Sequence, residues 1–171
     1  MIIQQKDLSR IRKKHRHQKI VYCSGAFDLP HIGHMLHLEY CKKLGDILVV
    51  NIAPDKDIKK NKDPKRPILD EKIRLKTISS IKPVDYCFLS KHSPTGKPQL
   101  YQLESILRCL KPDIYVINKD SPSIIPEIKK LCRNLDIKLV IAKRKFPQSF
   151  KDISTSKIIE VIIKKFSKNK Y

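Results

Sequence analysis

A chain of 171 residues is the size of one ordinary domain and is long enough to bury a core without disulfides or metals. Its net charge of +20 admits a nucleic-acid binder, a protein that handles phosphorylated metabolites, or a Lys-rich surface of no special function, but an aromatic content of only 6% argues against a nucleic-acid module. The five cysteines lack a C-x-x-C pair, and no apolar stretch approaches the ~20 residues of a membrane helix; these features predict reduced, mostly buried thiols and a soluble, cytoplasmic protein without a signal peptide.

In chain order, residues 1–18 hold the one dense basic cluster, "RIRKKHRH" (10–17), and are expected to lie outside the core as a basic arm or extra helix, with the domain proper over 19–171. "KIVYCS" (19–24) reads as a buried strand. "HMLHLEYCKKL" (34–44) places Met35, Leu38, Cys41 and Leu44 near one helical face. "ILVVNIA" (47–53), closed by Pro54, is a second strand, and "DKDIKKNKDPKRP" reads as a charged loop. The spacing of Ile73, Ile78 and Ile81 behind Asp70, an N-cap type, predicts a helix over 69–81. Strands at 84–90, 114–117 and 137–142 then alternate with helices at 98–110 and 124–135, and a last helix covers 154–166.

Strict alternation with apolar strands implies an α/β fold, with a five-stranded parallel sheet covered by helices on both faces. Ligands of such sheets bind beyond the carboxyl ends of the strands, where the strand order switches. The loops "GAFDLPHIGH", "NKDPKRP", "NKDSPS" and "RKFPQSFKDISTS" all fall at those ends. In the first, His34 stands at the start of a helix, where backbone N–H groups and the helix dipole favour an anion. Gly25 and Gly33 let the backbone approach a bulky ligand, and His31 projects towards the same point. Two imidazoles there suit phosphate oxygens that gain charge in a transition state. "ISTS" (153–156) offers hydroxyls and backbone donors at a second helix start.

"GAFDLPHIGH" resembles the signature of the cytidylyltransferase-like nucleotidyltransferases, and "ISTSK" resembles their C-terminal signature; the likeness spans about residues 19 to 166. It implies a Rossmann-like three-layer sandwich and transfer of a nucleotidyl group from ATP or CTP to a small phosphorylated acceptor, with release of pyrophosphate. It implies that His31 and His34 hold the α- and β-phosphates while the acceptor phosphate attacks in line. Lys62 matches a lysine of the loop after the second strand and joins the histidines as a catalytic residue; it and Arg66 are placed to pair with phosphates of the nucleotide or the acceptor, and Arg74, within an E-x-x-R with Glu71, is read as substrate-binding. Gly25, Ala26, Phe27, Gly33 and Asp120 correspond to nucleotide-binding positions, and Ser154, Thr155 and Ser156 to the site of the β- and γ-phosphates. Asp28 arranges the loop or holds a magnesium ion with the triphosphate, although a turn-capping role is an equal reading. A homodimer is common among similar enzymes, without independent support in this sequence.

The sequence departs from the pattern too. "SFKD" stands where many cytidylyltransferases have R-T-E-G, so the arginine's phosphate role is either vacant or filled by Lys151, Arg144 or Lys145. Sugar-phosphate adenylyltransferases of the heptose type lack that arginine as well, and their "KPD" and "RP" resemble "KPDIYV" and "KRPI" here, which tilts the reading towards ATP and a sugar phosphate. Glycerol-phosphate or phospho-alcohol cytidylyltransferases, a flavin adenylyltransferase and a non-catalytic nucleotide- or RNA-binding relative are the alternatives. His37 and Cys41 continue the histidine ladder and suggest zinc, but His31 precedes the helix and no H-E-x-x-H is present, so His37 reads as a helix-surface residue.

Overall fold

Period-two alternation sorts the strand residues between two faces, and both faces are dry over the first four strands in the chain, while the fifth, at the sheet edge, is partly exposed. The computed structural model describes residues 1–61, 64–92, 99–118, 125–142 and 153–167. Strands β1 (Ile20–Gly25), β2 (Ile47–Ile52), β3 (Tyr86–Leu89), β4 (Ile114–Asn118) and β5 (Lys138–Ala142) form one parallel sheet in the order β3-β2-β1-β4-β5. α1 (Leu8–Lys14) precedes β1 and α7 (Thr155–Phe166) follows β5; between the strands run α2 (Ile32–Lys42), α3 (Asp55–Asn61), α4 (Glu71–Ser79), α5 (Gln99–Leu110) and α6 (Ile125–Asn134). Ile20, Tyr22, Val49, Phe88 and Tyr115 pack with Leu8 and Ile11 of α1, Leu107 of α5 and Leu131 of α6. On the other face Val21, Cys23, Leu48, Val50 and Val116 pack with Leu38 and Cys41 of α2 and Ile78 of α4.

The chain winds outward from β1 to β3, then returns through α5 to place β4 on the other side of β1. The strand order therefore reverses between β1 and β4, so the carboxyl ends of these two strands mark the place where ligands of such sheets bind.

Two expectations need correction. The segment 1–18 does not stand outside the core. Ile3, Leu8 and Ile11 are buried, and the backbone of residues 1–3 pairs with β3 through Cys87 (Ile3 N–H to Cys87 C=O 3.0 Å; Cys87 N–H to Met1 C=O 2.9 Å). Arg12, from the middle of the basic cluster, donates to Asp113 at 2.9 Å and to the carbonyls of Lys111, His15 and Gln18, so its charge ties α1 to the start of β4. The charged loop after β2 contains α3, whose one buried apolar side chain, Ile58, gave no periodic signal. What supports α3 is charge order, Asp55 and Asp57 in its first turn and Lys59 and Lys60 in its last, which complements the helix dipole. No helix among the described residues is long and apolar enough to cross a membrane.

Candidate active site

The turn from β1 into α2 is tightly wound. Phe27 and Leu29 both take left-handed backbone angles, φ 50° and 47°, a conformation that costs non-glycine residues energy and persists where surroundings enforce it. The Phe27 ring is buried against Gly25, where an added Cβ would sit 2.9 Å from ring carbon Cε2. Glycine at 25 thus makes room for Phe27. The ring in turn supports the His34 imidazole, centroid to centroid 5.4 Å, so the side chain of Phe27 braces the site from beneath.

His31 is the N-cap of α2, which starts two residues earlier than the sequence suggested and makes His34 its third residue. His31 Nδ1 accepts the Gly33 N–H at 3.1 Å, and His34 Nδ1 accepts the His31 N–H at 3.3 Å. A ring nitrogen that accepts an N–H carries no proton, so each neutral imidazole is fixed as the tautomer with its proton on Nε2. The rings lie 4.0 Å apart between centroids. The expected backbone cradle is altered accordingly. The Gly33 and His34 N–H groups are satisfied by His31 itself, and the donors suited to an anion are the imidazole Nε2–H groups.

Asp28 is buried, and its two carboxylate oxygens accept from Ile68 N–H (3.0 Å to each), Leu69 N–H (3.1 Å) and Arg66 Nε (2.7 Å). Burial pushes its carboxyl up, but the Leu69 and Ile68 amides and the Arg66 guanidinium together pull it further down, below the usual carboxylate range. Each oxygen already accepts two hydrogen bonds and a guanidinium lies alongside, an arrangement that does not fit a magnesium ligand. Asp28 and Arg66 brace the loop against the segment that leads into α4.

Arg74, expected to meet substrate, is fully buried. Its guanidinium donates to the Ala26 carbonyl, to Leu69 C=O (3.0 Å), to Ala53 C=O (2.8 Å) and to Asp55 Oδ1 (2.7 Å). It joins the ends of β1 and β2 to α3 and cannot reach a ligand. Glu71 accepts the Asp55 N–H at 3.0 Å, so E-x-x-R grips the start of α3. Asp55, the common partner, was not singled out from sequence; its place after Pro54 at a helix start was the available signal. Asn51 was missed as well. It is buried at the end of β2, its amide donates to Tyr22 Oη at 3.2 Å, and its Oδ1 has no partner among the described residues.

α7 closes the other side. Ser154 is its N-cap, accepting from Lys157 N–H at 3.2 Å, and Thr155 Oγ1 donates to the Asp28 carbonyl at 2.6 Å. "ISTS" is thus tied directly to "GAFDLPHIGH", with Ser156 exposed beside the junction. Lys62, Asp120, Arg144, Lys145 and Lys151 lie outside the described residues.

Beneath α2, His37 is half-buried rather than a surface residue, its Nε2 3.6 Å from Cys41 Sγ. Cys23 lies against the same pair. A hydrogen bond from Cys23, and then His37, draws the Cys41 thiol down to about 6, and the same contact with burial pushes Cys23 up. Burial pushes Cys87 up to about 12 against the smaller pull of the N-terminal ammonium and the Phe88 amide, and burial alone raises Cys132 to about 11. Cys23, Cys41, Cys87 and Cys132 are buried free thiols, as expected, and Cys109 is exposed.

A parallel α/β sheet whose switch point carries two imidazoles with matched tautomers at a helix start defines a protein suited to phosphate-bearing ligands. Comparison with known proteins gives the class its name: the chain belongs to the cytidylyltransferase-like family, whose model matches residues 22–161. The bifunctional protein HldE of Helicobacter pylori strain HPAG1 is 41% identical over 107 residues, 63% of this chain and 21% of its own length. This chain therefore spans about a fifth of that relative. The FAD synthase of Ferroglobus placidus is 32% identical over 145 residues, 85% of this chain and 88% of its own. Among solved structures, a lipopolysaccharide core biosynthesis protein from Thermoplasma volcanium superposes with a TM-score of 0.60 at 32% identity, over 77% of this chain and 99% of that one. Pantoate-beta-alanine ligase from Francisella tularensis, 18% identical with a TM-score of 0.65 over 96% of this chain and 77% of that one, shares the fold.

Proposed function

We propose that the protein transfers AMP from ATP to the phosphate of a sugar phosphate and releases pyrophosphate. The observation that carries this reading is the pair of Nε2–H donors at the β1–α2 turn, fixed by the Nδ1 contacts of His31 and His34. An acceptor phosphate oxygen attacks the α-phosphorus; the new P–O bond forms as the bond from the α-phosphorus to the bridging oxygen breaks, and pyrophosphate leaves with that electron pair. The charge that builds on the α-phosphate and leaving group meets the two imidazoles, so neither histidine acts as nucleophile. Lys62, Asp120 and the start of α7 are assigned to the remaining phosphates and the nucleoside. The triphosphate would bring its own magnesium ion, with no described side chain asked to ligate it. The "KPD" and "KRP" stretches and the similarity to a lipopolysaccharide core biosynthesis protein support a sugar-phosphate acceptor.

FMN is the second reading, favoured by the FAD synthase relative that aligns over most of both chains. Both readings share the adenine nucleotide. The test is pyrophosphate release with magnesium, crossing ATP and CTP with sugar phosphates, glycerol phosphate, phosphocholine and FMN. ATP-dependent release with one sugar phosphate is expected, and His34→Ala should lower kcat by about 100-fold or more with little change in folding. Release that needs CTP overturns the adenylyl assignment, and release only with FMN overturns the sugar phosphate. An unchanged rate in the variant removes His34 from the mechanism.

A further inference from the structure

We infer that Cys23, His37 and Cys41 form a metal site for Zn2+ that pins α2 to β1. Their ligand atoms, two Sγ and one imidazole nitrogen, all lie within 4.8 Å of one another. With Zn–S near 2.3 Å and Zn–N near 2.05 Å at tetrahedral angles, a sulfur and a nitrogen on one ion stand about 3.6 Å apart. Cys41 Sγ and His37 Nε2 stand 3.6 Å apart. Cys23 needs to close by no more than about 1 Å to meet the ~3.8 Å between two such sulfurs.

The donor set is selective. Two thiolates and an imidazole favour a borderline or soft ion over magnesium or calcium, which take oxygen ligands. Three protein ligands leave a fourth position for water. Both cysteines are shielded from solvent while His37 is half-buried, so an ion would enter, and its water would face, from the His37 side. Cys23 comes from β1, and His37 and Cys41 sit one helical turn apart on α2, so one ion would join the strand to the helix that holds His34. Since His37 follows His34 by three residues, one turn along the same helix, the ion would fix the helix that orients the imidazole pair without touching the reacting atoms.

The test uses the full, reduced chain carrying Cys109→Ser, which removes the exposed thiol. Anaerobic titration with Co2+ as spectroscopic probe should saturate at one equivalent with a sulfur-to-cobalt charge-transfer band, and Zn2+ should bleach it. A chromophoric chelator competing for Zn2+ reports affinity. His37→Ala, at a half-buried position where folding should survive, is expected to weaken Zn2+ by more than about 10-fold, and Cys41→Ser, which leaves Cys23 as the one thiolate, to weaken both the affinity and the charge-transfer band. Zn2+ should raise the Tm of the parent chain and not that of His37→Ala. Absence of stoichiometric binding, binding unaffected by both variants, or a thiol count that reveals a Cys23–Cys41 disulfide in the chain as purified would each overturn the proposal.

Discussion

Replacing Asp28 with Asn should cost the fold more than it costs side-chain volume. The carboxylate holds Ile68 N–H, Leu69 N–H and Arg66 Nε at 2.7–3.1 Å. An amide of the same shape keeps one acceptor and turns an NH2 group towards those donors, leaving Arg66, with 13% of its side chain exposed, beside no negative charge. Breaking a buried pair from one side costs about 3–5 kcal/mol, and the residual exposure of Arg66 places this one near 3. In a chain of this size that is a fall in Tm of roughly 6–12 °C at pH 7. The folded-state carboxyl is held below its unfolded value, so its stabilisation is fully present above about pH 4 and is lost as the pH falls through the folded value. Thermal unfolding followed by circular dichroism from pH 7 to pH 3 should show a wide gap between parent and variant at neutral pH that narrows below about pH 4. A gap under about 2 °C at pH 7, or one that stays constant across the range, would refute the account of Asp28 as a charged brace.

Arg74→Lys keeps the charge but cannot span four acceptors from one nitrogen, and leaving buried carbonyls at Ala26 and Ala53 unpaired should cost ~3 kcal/mol, read as urea midpoint at unchanged m-value. Thr155→Val deletes the hydrogen bond to Asp28 C=O, worth about 1 kcal/mol; hydrogen exchange should speed up across α7 and the nucleotide KM should rise, whereas the sheet's protection should not change. Gly25→Ala forces a Cβ to within 2.9 Å of the Phe27 ring, so kcat should fall through the displaced His34 more than Tm falls, and steady-state kinetics beside a melting curve separate the two.

What sequence could show depended on whether a feature was local. β2 is apolar at Ile47, Leu48, Val49, Val50 and Ile52, and all are buried, so its run read correctly. Asp70 caps α4 as its position implied, accepting from Lys72 and Ile73 N–H. Residue type misled where burial was set at a distance. The match to E-x-x-R marks Arg74 as a substrate ligand, yet four acceptors from three segments converge on it and bury it, while Ile73 beside it, one of the three isoleucines whose spacing marks the helix, is exposed. The imidazole pair was legible as a pair, since His-x-x-His at a helix start is a local pattern. Its tautomers were not, because they follow from backbone N–H groups that point at Nδ1 only once the turn is formed. Cys23 gave no hint of its company because the crossover from β1 to α2 alone brings it to His37 and Cys41.

The hydroxyl of Thr155 reaches back across 127 positions to the carbonyl of Asp28. No side chain of α7 is buried, so this helix adds little to the cohesion of the molecule while completing one wall of the crevice. Order of assembly follows. A polypeptide emerging as far as β5 can already fold its sheet, yet on the proposed function it should stay chemically idle until α7 docks, and mild heating should silence it well before the sheet melts. On the proposed function, catalytic readiness is in this sense a late and reversible event, decided by a helix with no buried side chain.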